Sequence, residues 1–467
     1  MNCKHMQKFL LVLGMITVVV APSFAQKQTP PAGGPPKAFA LPAHETYTLP
    51  NGMKVTLVPY GALPKVTASL VVRAGTVNQS TEQYSIASFL GNLLKEGTTT
   101  RSAKQLAEEF AQMGGDLNVG IGEDESAFTT DVLTEFGPNA VKLLADVSMH
   151  PVLPKSELPR LKNDALRQVT IARSIPQQIA AERFRKILYP DHPYGRVLPA
   201  AEDIQKQTVA NAKAFYEGNF VASRAHLYVA GRFDSAAVKK AIAEGFSSWA
   251  KGTPAALAPP KPQAKHVLDV TDRPGAAQST IFVGLPVASA DSPDNIPLAV
   301  TNTLLGGAFS SRITANIREA KGYTYSPNSQ ISRRVHDAYW AETADVTTAV
   351  TGPSLKEIFG EVERLQKEAP GAEELKGIQS FLSGLFVIQN SSRGALIGQL
   401  RYVNLQGLGE DYLKMYVQKV NAVTPADVQR MTAQYIKPEQ MTIVVVGDKA
   451  KISEQLAPYA AAGDSNK

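Results

Sequence analysis

The sequence predicts an α+β fold of two homologous domains, each a mainly antiparallel β-sheet packed with α-helices. Three observations lead there. Strand-like runs such as VTLVPY (55–60) and KVTASLVVRAG (65–75) lie next to one another, and helical pairs separate such groups, as expected for helices layered on antiparallel sheets. The segments AHLYVAGRFDSAAVKKAIAEGF, from Ala225, and MTIVVVGDKAKISEQLAPYA, from Met441, share one layout of buried-type strand, glycine, polar turn and amphipathic helix. Gly231 and Gly447 fall at equivalent points, 216 residues apart, and two copies at so long a period indicate duplicated domains rather than a solenoid. Finally, KGTPAALAPPKPQAK (251–265) carries four prolines and no periodicity, and divides the chain into nearly equal parts.

In chain order, residues 1–25 read as an export signal: Lys4 and Lys8 precede the apolar run FLLVLGMITVVVA, and Ser23-Phe24-Ala25 offers small residues at a cleavage site. That run is shorter than the roughly 20 residues a spanning helix needs. Residues 26–45 form a Pro/Gly-rich leader, 46–250 the N-terminal domain, 251–265 a linker, 266–460 the C-terminal domain and 461–467 a tail. Within the first domain, SIASFLGNLLKEG and AKQLAEEFAQMG read as helices, LNVGIGEDESAFTTDVLT as a strand pair around an acidic turn, and NAVKLLADVSMH and SELPRLKNDALRQVTIARS as further helices.

Composition narrows the function classes. Of 467 residues, 44% are apolar and 19% charged, an ordinary globular balance. Signal cleavage removes Lys4 and Lys8, taking the formal charge from +6 to +4, too weak a field to indicate nucleic acid or an acidic membrane. Cleavage also removes Cys3, the sole cysteine, and with it thiol chemistry and disulfides. The histidines at 44, 150, 192, 226, 266 and 336 are never within metal-ligand spacing of one another; His192, in DHPYG, reads as a turn residue. Glu123, Asp124 and Glu125 lack the alternating ligands of a calcium loop and read as a solvated hairpin turn.

The stretch SIASFLGNLLKEGT (85–98) resembles, without a gap, the zinc helix G-L-A-H-F-L-E-H-M-L-F-K-G-T of the M16 peptidases, the pitrilysin and mitochondrial-processing-peptidase family. In that family two histidines at i and i+4 ligate zinc and the glutamate before the second is the general base. Here those positions carry Ser88, Asn92 and Gly91, and the third ligand, a downstream glutamate, aligns with Gln168. A hydroxyl and two amides are poor zinc ligands, and glycine cannot accept a proton. The resemblance therefore implies the M16-type, LuxS-like clamshell half as the fold, with no metal in this chain.

The second half resembles the family more fully. LLGGAFSSRITANIREAKGYTYSP (304–327) aligns with L-G-G-G-x-S-S-R-L-x-x-x-L-R-E-x-x-G-L-A-Y-S. It reads as a glycine pair, Gly306 and Gly307, opening a helix from about Ser310 to Lys321, capped by Ser310 or Ser311 and ended by Gly322, with Tyr325 starting a strand. In the family this arginine and tyrosine reach the opposing zinc site and hold the substrate and its oxyanion. Carried over, they are Arg318 and Tyr325, the residue types that can stabilise charge developing on a carbonyl oxygen. Asn118, in GGDLN (114–118), resembles the start of an edge strand on which peptide adds, and equally an ordinary strand-initiating turn; Gly306 and Gly307 read either as a substrate-contacting loop or as a plain helix entry.

The resemblance implies a noncatalytic subunit of a heterodimeric M16B zinc metallopeptidase in a bacterial periplasm. Arg318 and Tyr325 would act in trans on peptides at the zinc site of an HxxEH-bearing partner that carries the cofactor. The other reading is a stand-alone peptide-binding or scaffold protein.

Overall fold

In the computed structural model, residues 39–256 and 258–460 are described. The expected signal peptide, most of the leader and the tail lie outside them. β1 (Glu45–Thr48), β2 (Lys54–Pro59), β3 (Lys65–Val72), β4 (Asn118–Ile121), β5 (Ser126–Leu133) and β6 (Ala225–Gly231) form a six-stranded sheet in the order β1-β2-β6-β3-β5-β4. β7 (Val267–Asp272), β8 (Gln278–Val287), β9 (Asn328–Arg334), β10 (Asp337–Thr347) and β11 (Thr442–Gly447) form a five-stranded sheet in the order β7-β11-β8-β10-β9. Setting β1 aside, the two orders correspond strand for strand. In each sheet one pair is parallel, β2 with β6 and β7 with β11, and the other pairs are antiparallel. The duplication read from Gly231 and Gly447 is thus a duplication of topology.

Five helices position the features of interest: α1 (Ile86–Leu93), α2 (Leu158–Ser174), α3 (Pro176–Leu188), α4 (Ala372–Gln389) and α5 (Arg393–Leu405). One face of the first sheet is covered by helices of its own half, and α1 contributes Ile86, Phe89, Leu90 and Leu93 to that core. The opposite face is covered by the other half. On α5, Leu396, Ile397, Leu400 and Val403 pack against Val58, Val71, Tyr228 and Ala230. Reciprocally, α3 lays Ala180, Phe184 and Leu188 on Phe282, Tyr339 and Val444 of the second sheet, with the Phe184 ring 4.5 Å from that of Phe282. Each such buried leucine or phenylalanine contributes about 1.5–3 kcal/mol. Because each half supplies the outer layer of the other, the described residues belong to one compact unit.

The acidic turn differs from its expected solvated state. Asp124 is 8% exposed and accepts from the Tyr194 hydroxyl at 2.6 Å. Glu123 pairs with Arg185 at 2.5 Å and with Arg334 at 2.9 Å, and Glu125 pairs with Arg401 at 2.5 Å. Arg334, 4% exposed, lies over the rings of Tyr189, Tyr194 and Tyr339. Three adjacent acids read alone look like a surface; their cations arrive from elements far away in sequence, two of them in the other half.

Candidate functional site

Ser85, at φ 88, turns the chain into α1, and the Gln79 side chain accepts the Ala87 N–H at 2.9 Å, satisfying a free donor of the first turn. The apolar stripe of α1 points into the core, so Ser88 and Asn92, four residues apart, fall together on the other side. There they line a cavity of about 430 Å³. Opposite, α2 presents Leu161, Ala165, Gln168 and Val169 to the same cavity. Ser88, Asn92 and Gln168 are therefore brought together as the sequence predicts, and α2 offers the cavity no carboxylate, imidazole or thiolate.

The general-base position is closed as well as empty of function. Gly91 is buried, and a Cβ built on it would overlap Cγ1 of Ile121, at the end of β4, and lie 3.0 Å from its Cδ1. Ile121 thus fills the space a longer side chain would need. A hydroxyl and two neutral amides around a packed glycine do not fit a zinc ion, which needs thiolate, imidazole or carboxylate donors. Among the described residues, no three His, Cys, Asp or Glu side chains gather as a metal site. The charged groups at the cavity are Glu123, Arg185 and Arg196, of which Glu123 is committed to its two arginines. Burial holds the Tyr84 phenol, also at the wall, far above its ordinary range. Such a wall can hydrogen-bond a polar ligand but has no group suited to activating water.

Arg318 and Tyr325 are adjacent; Arg318 lies on the helical segment expected for it, Tyr325 not on the strand expected. The guanidinium carbon of Arg318 lies 4.7 Å from the Tyr325 ring centroid and 4.4 Å from that of Phe309, so the cation is held between two aromatic faces. Phe309 and Tyr325 are 68% and 78% exposed. Glu319 approaches Nε of Arg318 at 3.0 Å, a surface pair of little energetic weight. Neither Arg318 nor Tyr325 lines the Ser88 cavity of this chain.

Three local expectations for this segment are corrected. Gly306 and Gly307 close a helical turn, Thr303–Gly307, instead of opening the next helix. They are small because the backbone is pressed close: a Cβ on Gly306 would lie 2.6 Å from both Oε2 of Glu342 and Oγ of Ser329, and one on Gly307 2.7 Å from Nδ2 of Asn302. Ser311 does not cap an N–H; its hydroxyl donates to Oγ1 of Thr314 at 3.0 Å, and the helix that follows widens to π-type winding over Thr314–Ala320. Gly322, at φ +65, does end it. Tyr325 lies outside any strand, since Pro327 offers no N–H to a ladder and β9 begins at Asn328. Asn118 begins β4, the edge strand of its sheet, with one side of its backbone unpaired. Ile121 and Phe309 carried no signal in the sequence, because each matters through a contact with a different element.

Comparison with known proteins agrees with this architecture. A family model described as "Insulinase (Peptidase family M16)" matches residues 59–202, and one described as "Peptidase M16 inactive domain" matches 206–382, together more than half of the chain. Among curated proteins, the chain is 25% identical over 342 residues to an uncharacterized zinc protease of Rickettsia felis, covering 73% of this chain and 82% of that one. It is 26% identical over 372 residues to an uncharacterized zinc protease of Mycobacterium bovis, covering 79% and 82%. Among solved structures, a peptidase M16 inactive domain from Pseudomonas fluorescens superposes with TM-score 0.81 at 23% identity, covering 86% of this chain and 98% of that chain. A protease from Helicobacter pylori gives 0.80 at 21% identity, covering 87% and 100%. With both family models matching in sequence order over one duplicated fold, the chain belongs to the M16 peptidase family.

Proposed function

We propose that this chain is the noncatalytic subunit of a two-subunit M16 peptidase, exported to the periplasm, which lends Arg318 and Tyr325 to the zinc site of an HxxEH-bearing partner. The observation that carries the reading is the contrast between two surfaces. At the cavity of this chain the base position is filled by Ile121, whereas Arg318 is stacked, half-buried, beside the exposed Tyr325, away from that cavity. An arginine stacked between Phe309 and Tyr325 is restricted before any substrate arrives, which is what stabilising a transient oxyanion requires. The zinc belongs to the partner. Peptide would run between the subunits, along edge strand β4, where Asn118 can meet its backbone.

The test is reconstitution with the HxxEH-bearing relative made by the same cell. Arg318→Ala is expected to lower the peptidase rate on the order of a hundredfold or more while partner binding is unchanged. An unchanged rate at normal binding refutes the contribution in trans. Peptide binding by this chain with no such partner recovered would instead favour the scaffold reading.

A further inference from the structure

On the face of the first sheet covered by α5, the apolar core gives way at one end to a cluster of cations. Lys54 on β2 is the register partner of His226 on β6, which in turn faces Val71 on β3. One step on, the Arg73 N–H donates to the Arg224 carbonyl at 2.9 Å, placing those two residues side by side. Arg401 and Asn404, from the last turns of α5, close the top. Together these residues surround a cavity of about 140 Å³, room for a small ion and little more.

The charge balance of this cavity is one-sided. Its single carboxylate, Glu125, is taken by Arg401 at 2.5 Å. Lys54, Arg73 and Arg224 have no carboxylate within ion-pair distance among the described residues. Their partners are neutral: Arg73 donates to the Asn404 carbonyl, and Arg224 to the Thr253 carbonyl at 2.9 Å and to Oδ1 of Asn219 at 2.8 Å. Neutral acceptors fix the guanidinium groups in place without cancelling their charge. His226 adds none, since its ring is engaged by Thr56 at 2.8 Å and Tyr228 at 3.0 Å. Burial, with Lys54 and Arg73 nearby, lowers the His226 pKa to about 3. One further donor at the wall, the Ser223 hydroxyl, is buried without a hydrogen-bond partner.

We propose that this cavity binds an oxyanion of the phosphate or sulfate class, held by Lys54, Arg73, Arg224 and Arg401. Orienting several rigid donors on one small space is how proteins hold tetrahedral oxyanions, and arginine suits it because its donors are planar and its charge permanent. The site is separate from the Ser88 cavity and from Arg318. It is built from both halves: the start of β2, the residue after β3 and the residue before β6 contribute three cations and α5 the fourth. Occupancy therefore fastens α5 onto the first sheet, and the anion stabilises the docking of the halves by mass action.

The experiment is calorimetric titration of the mature protein with inorganic phosphate and with sulfate at constant ionic strength, followed by thermal unfolding at each concentration. One saturable anion per chain is expected, with a midpoint that climbs as phosphate is added. Lys54→Glu, at an exposed position with no side-chain partner among the described residues, is expected to weaken binding at least tenfold with an unchanged circular dichroism spectrum. The exposed Lys376→Glu should bind as the parent does. Arg224→Gln gives a second, milder loss. Capture of phosphatidylglycerol vesicles that free phosphate displaces points to a lipid headgroup as the source; saturation by phosphate without vesicle capture points to a soluble anion. No saturable binding, or equal affinity in Lys54→Glu and Lys376→Glu, overturns the proposal.

Discussion

Replacing Gly91 by alanine sets two known effects against each other. In the middle of a helix, glycine to alanine ordinarily gains about 1 kcal/mol, because alanine loses less backbone freedom on folding. Here the new methyl group overlaps Cγ1 of Ile121 and lies 3.0 Å from Cδ1, and forcing a methylene into a packed contact costs about 1–3 kcal/mol. The expected net result is a destabilisation of up to roughly 2 kcal/mol where an unobstructed site would give a gain. Trimming the obstacle should reverse the sign. In an Ile121→Ala background both offending atoms are gone, only Cβ of residue 121 remains, at an ordinary 3.7 Å, and Gly91→Ala should then stabilise by about 1 kcal/mol. Urea denaturation of the parent, the two single variants and the double variant closes the cycle, with an expected coupling of about 1–3 kcal/mol. Additivity within about 0.5 kcal/mol would show that Ile121 does not occupy the space beside Gly91, and the account of a closed base position would fall. The same geometry predicts that writing histidines and a glutamate back into residues 88, 91 and 92 is insufficient while Ile121 remains.

Two further outcomes follow from the seam between the halves. Arg334→Leu removes a buried cation from Glu123 and from three tyrosine rings, and is expected to cost about 3–5 kcal/mol in denaturant unfolding; a loss below about 1 kcal/mol would mean the clasp is not energetically coupled to the fold. His226 titrates at about 3 in the fold, against about 6.5 when unfolded. The unfolded chain therefore binds more protons between these values. The contribution of His226 to stability is complete above pH 6.5 and is lost as pH falls toward 3. His226→Gln should flatten the stability–pH profile over that window, and an unaltered slope would refute the assignment.

Much of this fold was legible because it rests on short-range pattern. Ile86, Phe89, Leu90 and Leu93 recur at helical spacing and are indeed buried, and the repeat from Gly231 to Gly447 marks one topology used twice. What escaped depends on partners remote in sequence. Nothing in GEDES announces Arg334 or Arg401, nothing in SFLGNL announces Ile121, and no periodicity reveals that α3 and α5 cover each other's sheets. Gly306 was misplaced for the same reason, since it is Glu342 and Ser329, on strands β10 and β9, that leave no room for a side chain there. The candidate site shows why pattern can survive while chemistry is erased. On α1 the residues that hold the helix to its sheet and the residues that would hold a metal lie on different sides, so Ser88 and Asn92 cost the core nothing. Gly91 alone sits where the two sides meet. It is buried, and an edge-strand side chain packs over it, so the position that lost the base is also the one through which the fold now resists its return.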